Sequence, residues 1–491
     1  MEEVRGIIIV AYIILIMSLR QNFTYKAILT IINPLIGFFT FPYISRVLGV
    51  ANLGLVDFVD NTINYFLLFA MLGISNVGVR SIAAVSGSRA KLNVTFSNLL
   101  GVNLFFTILL LLVYLLSISI VSRFNLYSEL FYIGTAKILF STLLIEWFFT
   151  GIENFKYITI RTLLIKIIYV GSVFILIKEP SDYLLYFILT VSVIVVNAIV
   201  NILYSRNFVS IEFKELFNFK YMKENVKIGI YTIMTSMYLT FNVMYLGLMT
   251  NNTQVGFYTS AYRLYTLVLG IFTAFSSVML PRMSNLLANG NNSEFNRYLI
   301  KSFEFVALFS VPMAVCSSIL APELIYLLCG QGYEGAILPM RIIMPALILV
   351  GIAQIIVIQV LLPMKKDNVL LVASIVGAVI SIVVNILLVS KYGSVGSAIV
   401  MLSAEFVVTI IYLIYVLKYA IVEFPWQYFI RAIVFTIPCV CICLLFKFLI
   451  PNLYIVLAVS ILCSLILYFI ENRKTIQPYL KFKEDKHTLN S

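Results

Sequence analysis

The feature that most constrains this chain is a succession of apolar runs of roughly 20 residues, the length a helix needs to cross the ~30 Å hydrocarbon core of a bilayer. Fourteen can be traced, near 24–46, 56–79, 95–121, 127–150, 158–177, 183–204, 228–250, 257–280, 299–321, 337–361, 368–389, 395–417, 428–449 and 453–470. A transmembrane barrel would show segments of about ten residues alternating with period two, and these runs are too long and too uniformly apolar for that. Composition agrees, since 62% of the 491 residues are hydrophobic and 11% charged, with a mean hydropathy of +1.03, whereas soluble domains carry about 25% charged residues. The expected class is an all-α integral membrane protein of about 14 transmembrane helices.

A net charge of +12 could point to nucleic acid, so the placement of Lys and Arg decides its meaning. Odd-to-even connections carry Arg46, Arg123, Lys178 and Lys391, whereas even-to-odd connections and the two ends carry 25 basic residues. That asymmetry is the positive-inside pattern, which predicts both termini in the cytoplasm and no nucleic-acid partner. The segment before residue 24 holds an apolar run of only about 13 residues, and Glu2 and Glu3 stand where a signal peptide would be basic. Residues 1–23 are therefore expected to be cytoplasmic or interfacial, with 1–16 dispensable if synthesis starts at Met17. All six cysteines fall in or beside apolar runs, and Cys439, Cys441 and Cys443 point apart on a helix, which speaks against a metal site. No cofactor is implied.

Sliding the sequence against itself by 202 residues brings Gly54 onto Gly256, Arg80 onto Arg282 and Phe96 onto Tyr298 without a gap. The expected organisation is a six-helix lobe at 24–204, a cytoplasmic connection at 205–227 and a second six-helix lobe at 228–417. Two extra helices at 418–470 and a basic cytoplasmic tail at 471–491 follow. Both lobes start on the same side, so the repeat is parallel, an architecture suited to alternating access in a transporter.

Four blocks carry a resemblance: "PYISRVLG" (Pro42 to Gly49), "LGISNVGVR" (Leu72 to Arg80), "EWFFTGIENFKYITIR" (Glu146 to Arg161) and "KYGSVGSA" (Lys391 to Ala398). They resemble the polysaccharide-exporter and O-antigen flippase (Wzx-type) family of the multidrug, oligosaccharidyl-lipid and polysaccharide exporter superfamily. The resemblance implies a flippase in the bacterial cytoplasmic membrane that moves undecaprenyl-diphosphate-linked oligosaccharide units to the outer leaflet, for O-antigen or capsule assembly. One departure is visible. After Gly54 the family usually shows an aromatic and then small polar residues, whereas Val56, Asp57 and Asp60 stand here.

Charges inside apolar runs are the candidate site residues, because an ionised side chain at mid-membrane costs at least ~2.5 kcal/mol and so should face protein or water. Cations suited to a diphosphate are Arg263 first, then Lys137 and Arg341, with Arg46 and Lys166 behind them; Arg can bind the group bidentately and Lys as a point charge. A structural ion pair is the alternative for these cations, and a snorkelling anchor for Arg46. Lys137 and Glu146, nine residues apart, lie on nearly opposite helix faces and are not expected to pair. Asp57 and Asp60, three apart beside Asn61 and Asn64, could hold a coupling cation or share a proton, or could be acidic residues at a helix start. Glu146 and Glu405 are further candidates for coupling to H⁺ or Na⁺. Pro34 and Pro42 each remove a backbone donor, so the first helix could bend as a gate.

No nucleophile–base pair, metal cluster or ATP loop is visible, which favours an ion gradient as the driving force and a transporter over an enzyme. A cation-coupled multidrug exporter is the alternative, although carboxylates would then be expected to dominate the cavity. A membrane polymerase or acyltransferase is less compatible, because no outer loop exceeds about 15 residues and the only histidine, His487, lies in the tail. Expected partners are the lipid-linked oligosaccharide, membrane lipid, a coupling cation and other polysaccharide-assembly membrane proteins.

Overall fold

A computed structural model describes the backbone of residues 2–419 and 424–471; side chains are described at Tyr25 and from Ile36 onward, except at 227, 231, 232, 234, 235, 237–240, 469 and 471. The expected basic tail, with His487, lies outside the described residues. Among the described residues the architecture is all-helical.

In chain order the first elements are α1 (Glu2–Met71), α2 (Ile74–Val85), α3 (Arg89–Ile120), α4 (Ser122–Leu126), α5 (Ser128–Thr142), α6 (Glu146–Gly151), α7 (Phe155–Leu176), α8 (Tyr183–Ser205), α9 (Phe213–Leu216) and α10 (Met222–Met249). They are followed by α11 (Asn252–Ala288), α12 (Asn292–Ile319), α13 (Ala321–Cys329), α14 (Ile337–Ile343), α15 (Ala346–Gln354), α16 (Asp367–Lys418), α17 (Trp426–Leu449) and α18 (Leu453–Glu471). Nine helices among the described residues are long and apolar enough to cross a membrane, or ten if the pair 334–343 and 346–361, bent by 41°, is one span.

The fourteen apolar runs fall mostly on helical backbone, but runs and helices do not correspond one to one: the runs at 56–79, 127–150 and 337–361 each cross a break between two helices. The runs at 368–389 and 395–417 share α16, whose backbone departs from helical angles only at Gly393 (φ 55°, ψ −127°). The run at 24–46 and most of the run at 56–79 meet in the same way within α1, which breaks at Gly49 (φ 72°, ψ 169°); the end of the second run lies in α2. Each break falls in one of the four sequence blocks, and each needs a left-handed φ that glycine adopts without a Cβ clash. Pro34 and Pro42, the bend candidates, both sit within helical stretches of α1, and the discontinuity comes seven residues after Pro42.

The described chain forms two compact units, residues 1–259 and 260–491. In the first, α2, α3 and α6 are welded by an aromatic core in which Trp147, Phe148, Phe149, Phe96 and Val77 are buried. Gly78 makes this possible, because a Cβ there would come within 2.9 Å of the Trp147 ring. Two of the sequence blocks therefore pack directly against each other. The start of the 205–227 connection is also fixed to α3. The Ser97 hydroxyl accepts from the Glu212 amide at 2.8 Å, Asn98 donates to Glu215 at 2.9 Å, and a Cβ on Gly101 would strike the Leu216 carbonyl.

Also in this unit, two glycines that the expected repeat aligns, Gly54 and Gly256, lie against each other's helices. Gly54 lies so close to the start of α11 that a Cβ would be 2.0 Å from the Asn252 carbonyl oxygen and 2.6 Å from the Gly256 nitrogen; one on Gly256 would be 2.3 Å from the Val50 carbonyl. Small residues at both positions let the two backbones touch, as at close helix crossings generally in membranes.

In the second unit, α17 packs against α12 and α18. Cys439 and Cys443 are buried in that contact while Cys441 is exposed, as their spacing on a helix requires. Tyr468 donates to the Leu308 carbonyl at 2.7 Å, and Lys447 pairs with buried Glu323 at 3.0 Å.

Candidate functional site

The candidate residues of the first unit do not remain isolated charges. Lys137 on α5 donates to Asp60 on α1 at 2.5 Å; its side chain is 7% exposed and that of Asp60 is 32% exposed. Asn64, one turn further along α1, donates to the other Asp60 oxygen at 3.1 Å. The pair thus has a covered cationic end and an open anionic end. That asymmetry suits an exchange in which an incoming anion competes with Asp60 for the ammonium.

Asp57 takes a different partner. It is buried and accepts from the Thr259 hydroxyl at 2.6 Å. The two residues are 202 positions apart, the offset expected for an internal repeat, and their hydrogen bond lies just beyond the Gly54 and Gly256 contact. Arg123 reinforces this region by donating to the Gly247 carbonyl at 3.1 Å and to Asn252 at 2.9 Å.

Glu146 and Lys137 lie on separate helices, because the chain breaks at Ile145, where φ is 38°. Glu146 instead pairs at 2.8 Å with Arg161, the other end of its own sequence block. Arg161 is 4% exposed on its side chain and also donates to Asn201; Tyr157 donates to the same Asn201 oxygen at 2.9 Å. The Asn201 amide in turn donates to the Leu144 carbonyl that the break leaves over. Lys166, half-buried on α7, is within electrostatic reach of Glu146. Arg46 is exposed three residues before the Gly49 break and donates to the Pro42 carbonyl at 3.1 Å. Of Pro34 only the backbone is described.

The remaining candidates belong to the second unit. Arg263 is half-buried on α11, Arg341 is exposed on α14 with its Nε on the Ser318 carbonyl at 3.3 Å, and Glu405 is buried within α16, in electrostatic reach of Tyr262. The structure therefore joins Asp60 with Lys137 and gives Asp57 and Glu146 partners the sequence did not suggest. Arg161 and Asn201 were missed. Arg161 reads in the sequence as one more basic loop residue, and the sole signal for its role is that it closes the block opened by Glu146.

Residues 19–287, more than half of the chain, match the family described as "Polysaccharide biosynthesis protein". The chain belongs to that family. Two curated relatives are matched over nearly their whole length. A protein of Escherichia coli (strain K12) named "Putative O-antigen transporter" is 25% identical over 82% of this chain and 97% of its own length. The protein of the same name from Shigella dysenteriae is 25% identical over 77% and 95%. Among solved structures, the lipid II flippase MurJ in its inward closed conformation shares the fold with a TM-score of 0.76 and 18% identity, over 92% of this chain and all of that one. An inward-facing multidrug transporter of the MATE family matches less well, at 0.56 and 15% identity over 80% and 98%. This member of the polysaccharide biosynthesis family is thus an all-helical membrane protein with a MurJ-like fold.

Proposed function

We propose that the protein is a flippase that carries undecaprenyl-diphosphate-linked oligosaccharide units across the bacterial cytoplasmic membrane for surface polysaccharide assembly, by alternating access driven by an H⁺ or Na⁺ gradient. Family membership and the full-length similarity to proteins named as O-antigen transporters support the substrate class. The observation that carries the mechanism is the Asp60 and Lys137 pair, with the cation covered and the carboxylate open. An unpaired ammonium there would be costly, so Lys137 exchanges Asp60 for a diphosphate oxygen when substrate arrives, and Asp60 becomes free to take a proton or cation. In the first unit, Asp57 and Glu146 are the other carboxylates proposed for coupling; in the second unit, Arg263 and Arg341 are separate candidate diphosphate ligands and Glu405 a separate coupling candidate. The Gly49 break gives the first helix its bend. Both termini and the 205–227 connection face the cytoplasm, where other polysaccharide-assembly proteins can reach them.

Deleting the gene in its own bacterium tests the reading. Surface polysaccharide should disappear while its lipid-linked unit accumulates in the inner leaflet. Normal polysaccharide together with raised drug sensitivity would replace this reading with a multidrug exporter.

A further inference from the structure

At the end of the first unit where its basic connections gather, two cavities of about 550 Å³ each adjoin, sharing Asn154 in their walls. Pockets of this size commonly hold small ligands. Their linings differ in character. One is mixed, with Ser86, Arg89, Glu153 and Asn207 beside Leu92, Ile152 and Phe208. The other runs between α7 and α8 along Tyr157, Ile160, Leu164 and Val200, with Lys156 at its mouth. Ile160 and Leu164 are 44% and 57% exposed, and beyond them Ile167 and Ile168 continue the same open apolar face.

The walls are rigid where polar and apolar parts meet. Tyr157 and Tyr204 stack with ring centroids 3.9 Å apart, and the Arg161 guanidinium lies 5.6 Å from the Tyr157 ring. Arg161 is neutralised by Glu146. Arg89, Lys156 and Arg206 are exposed, and among the described residues none forms a salt bridge. Of these, Arg89 and Lys156 line the cavities, and the linings present one carboxylate, Glu153. A basic, hydrogen-bonding mouth leading into an open apolar groove with interfacial tyrosines fits an amphiphile with an anionic head.

We propose that this double cavity is a docking site for an anionic phospholipid such as phosphatidylglycerol. Its phosphate sits between Lys156, Arg89 and Asn154, and an acyl chain lies along Tyr157, Ile160 and Leu164. A soluble phosphate would leave the apolar groove empty, and a zwitterionic lipid gains less than an anionic one because its own headgroup cation opposes Arg89 and Lys156. The site is separate from the Asp60 and Lys137 pair and does not depend on the transport reading.

The test is native mass spectrometry of the purified full-length protein in detergent, titrated with phosphatidylglycerol, phosphatidylcholine and undecaprenyl phosphate. The wild-type chain should retain one phosphatidylglycerol at least about tenfold better than phosphatidylcholine. The double change Arg89→Gln with Lys156→Gln should remove that preference. Leu164→Trp, which fills the groove without altering charge, should weaken phosphatidylglycerol binding in the same assay. Equal retention of the two phospholipids by the wild type would overturn the proposal whether or not the variants fold. So would undecaprenyl phosphate displacing phosphatidylglycerol from the groove, which would make the carrier lipid its occupant.

Discussion

Breaking the Asp60 and Lys137 pair from either side should have unequal effects, because its two ends are unequally covered. Asp60→Asn strands an ammonium that is 7% exposed. Removing one partner of a buried ion pair costs 3–5 kcal/mol, and a lone Lys in the membrane interior at least ~2.5, so a loss of about 3 kcal/mol is expected. Lys137→Met keeps the aliphatic stem and strands a carboxylate that is 32% exposed and still accepts from Asn64 at 3.1 Å. Water can reach that group, and about 1 kcal/mol is expected. The double variant leaves no charge behind and should lie within about 1 kcal/mol of the wild type, which gives a coupling energy of about 3 kcal/mol. Melting of the purified full chain in detergent reads the stabilities, and surface polysaccharide in a deletion strain reads transport. The double variant should be folded and inactive. Equal, additive losses from the single changes would refute the asymmetry argument, and a double variant that restores polysaccharide would reduce the pair to a structural role.

Three further outcomes are expected. Gly54→Ala should abolish folding or cost more than about 3 kcal/mol, since its Cβ would meet backbone atoms at 2.0 and 2.6 Å, whereas Gly171→Ala, with nothing within 4 Å of its Cβ, should gain about 0.5–1 kcal/mol in the same melting assay. Arg263→Ala should insert normally yet fail to translocate, and Arg263→Lys should recover only part of the activity because the bidentate fork is lost; a fully active Ala variant would remove Arg263 from the site. Single cysteines at Asn251 and Lys214 should label from outside and not at all, respectively, and the reverse pattern would invert the proposed topology.

The spans were legible because bilayer thickness acts on local composition: any run of apolar residues long enough to cross is visible without knowledge of its neighbours. The two glycines that break α1 and α16 were likewise present in the sequence blocks, although only backbone angles identify Gly49, and not Pro34 or Pro42, as the discontinuity. Partner choice was another matter. Asp60 and Lys137 are 77 residues apart, Asp57 and Thr259 are 202 apart, and Arg161 and Asn201 are 40 apart. Lys137 and Arg341 looked alike as cations in apolar runs, yet one is buried against a carboxylate and the other is exposed on a carbonyl. Sequence alone suggested that Gly54 and Gly256 are equivalent positions; the structure brings the two into contact. Equivalence is a property of the pattern along the chain, whereas contact depends on how helices pack, and in lipid that is decided by the small residues and polar pairs that bring their backbones together.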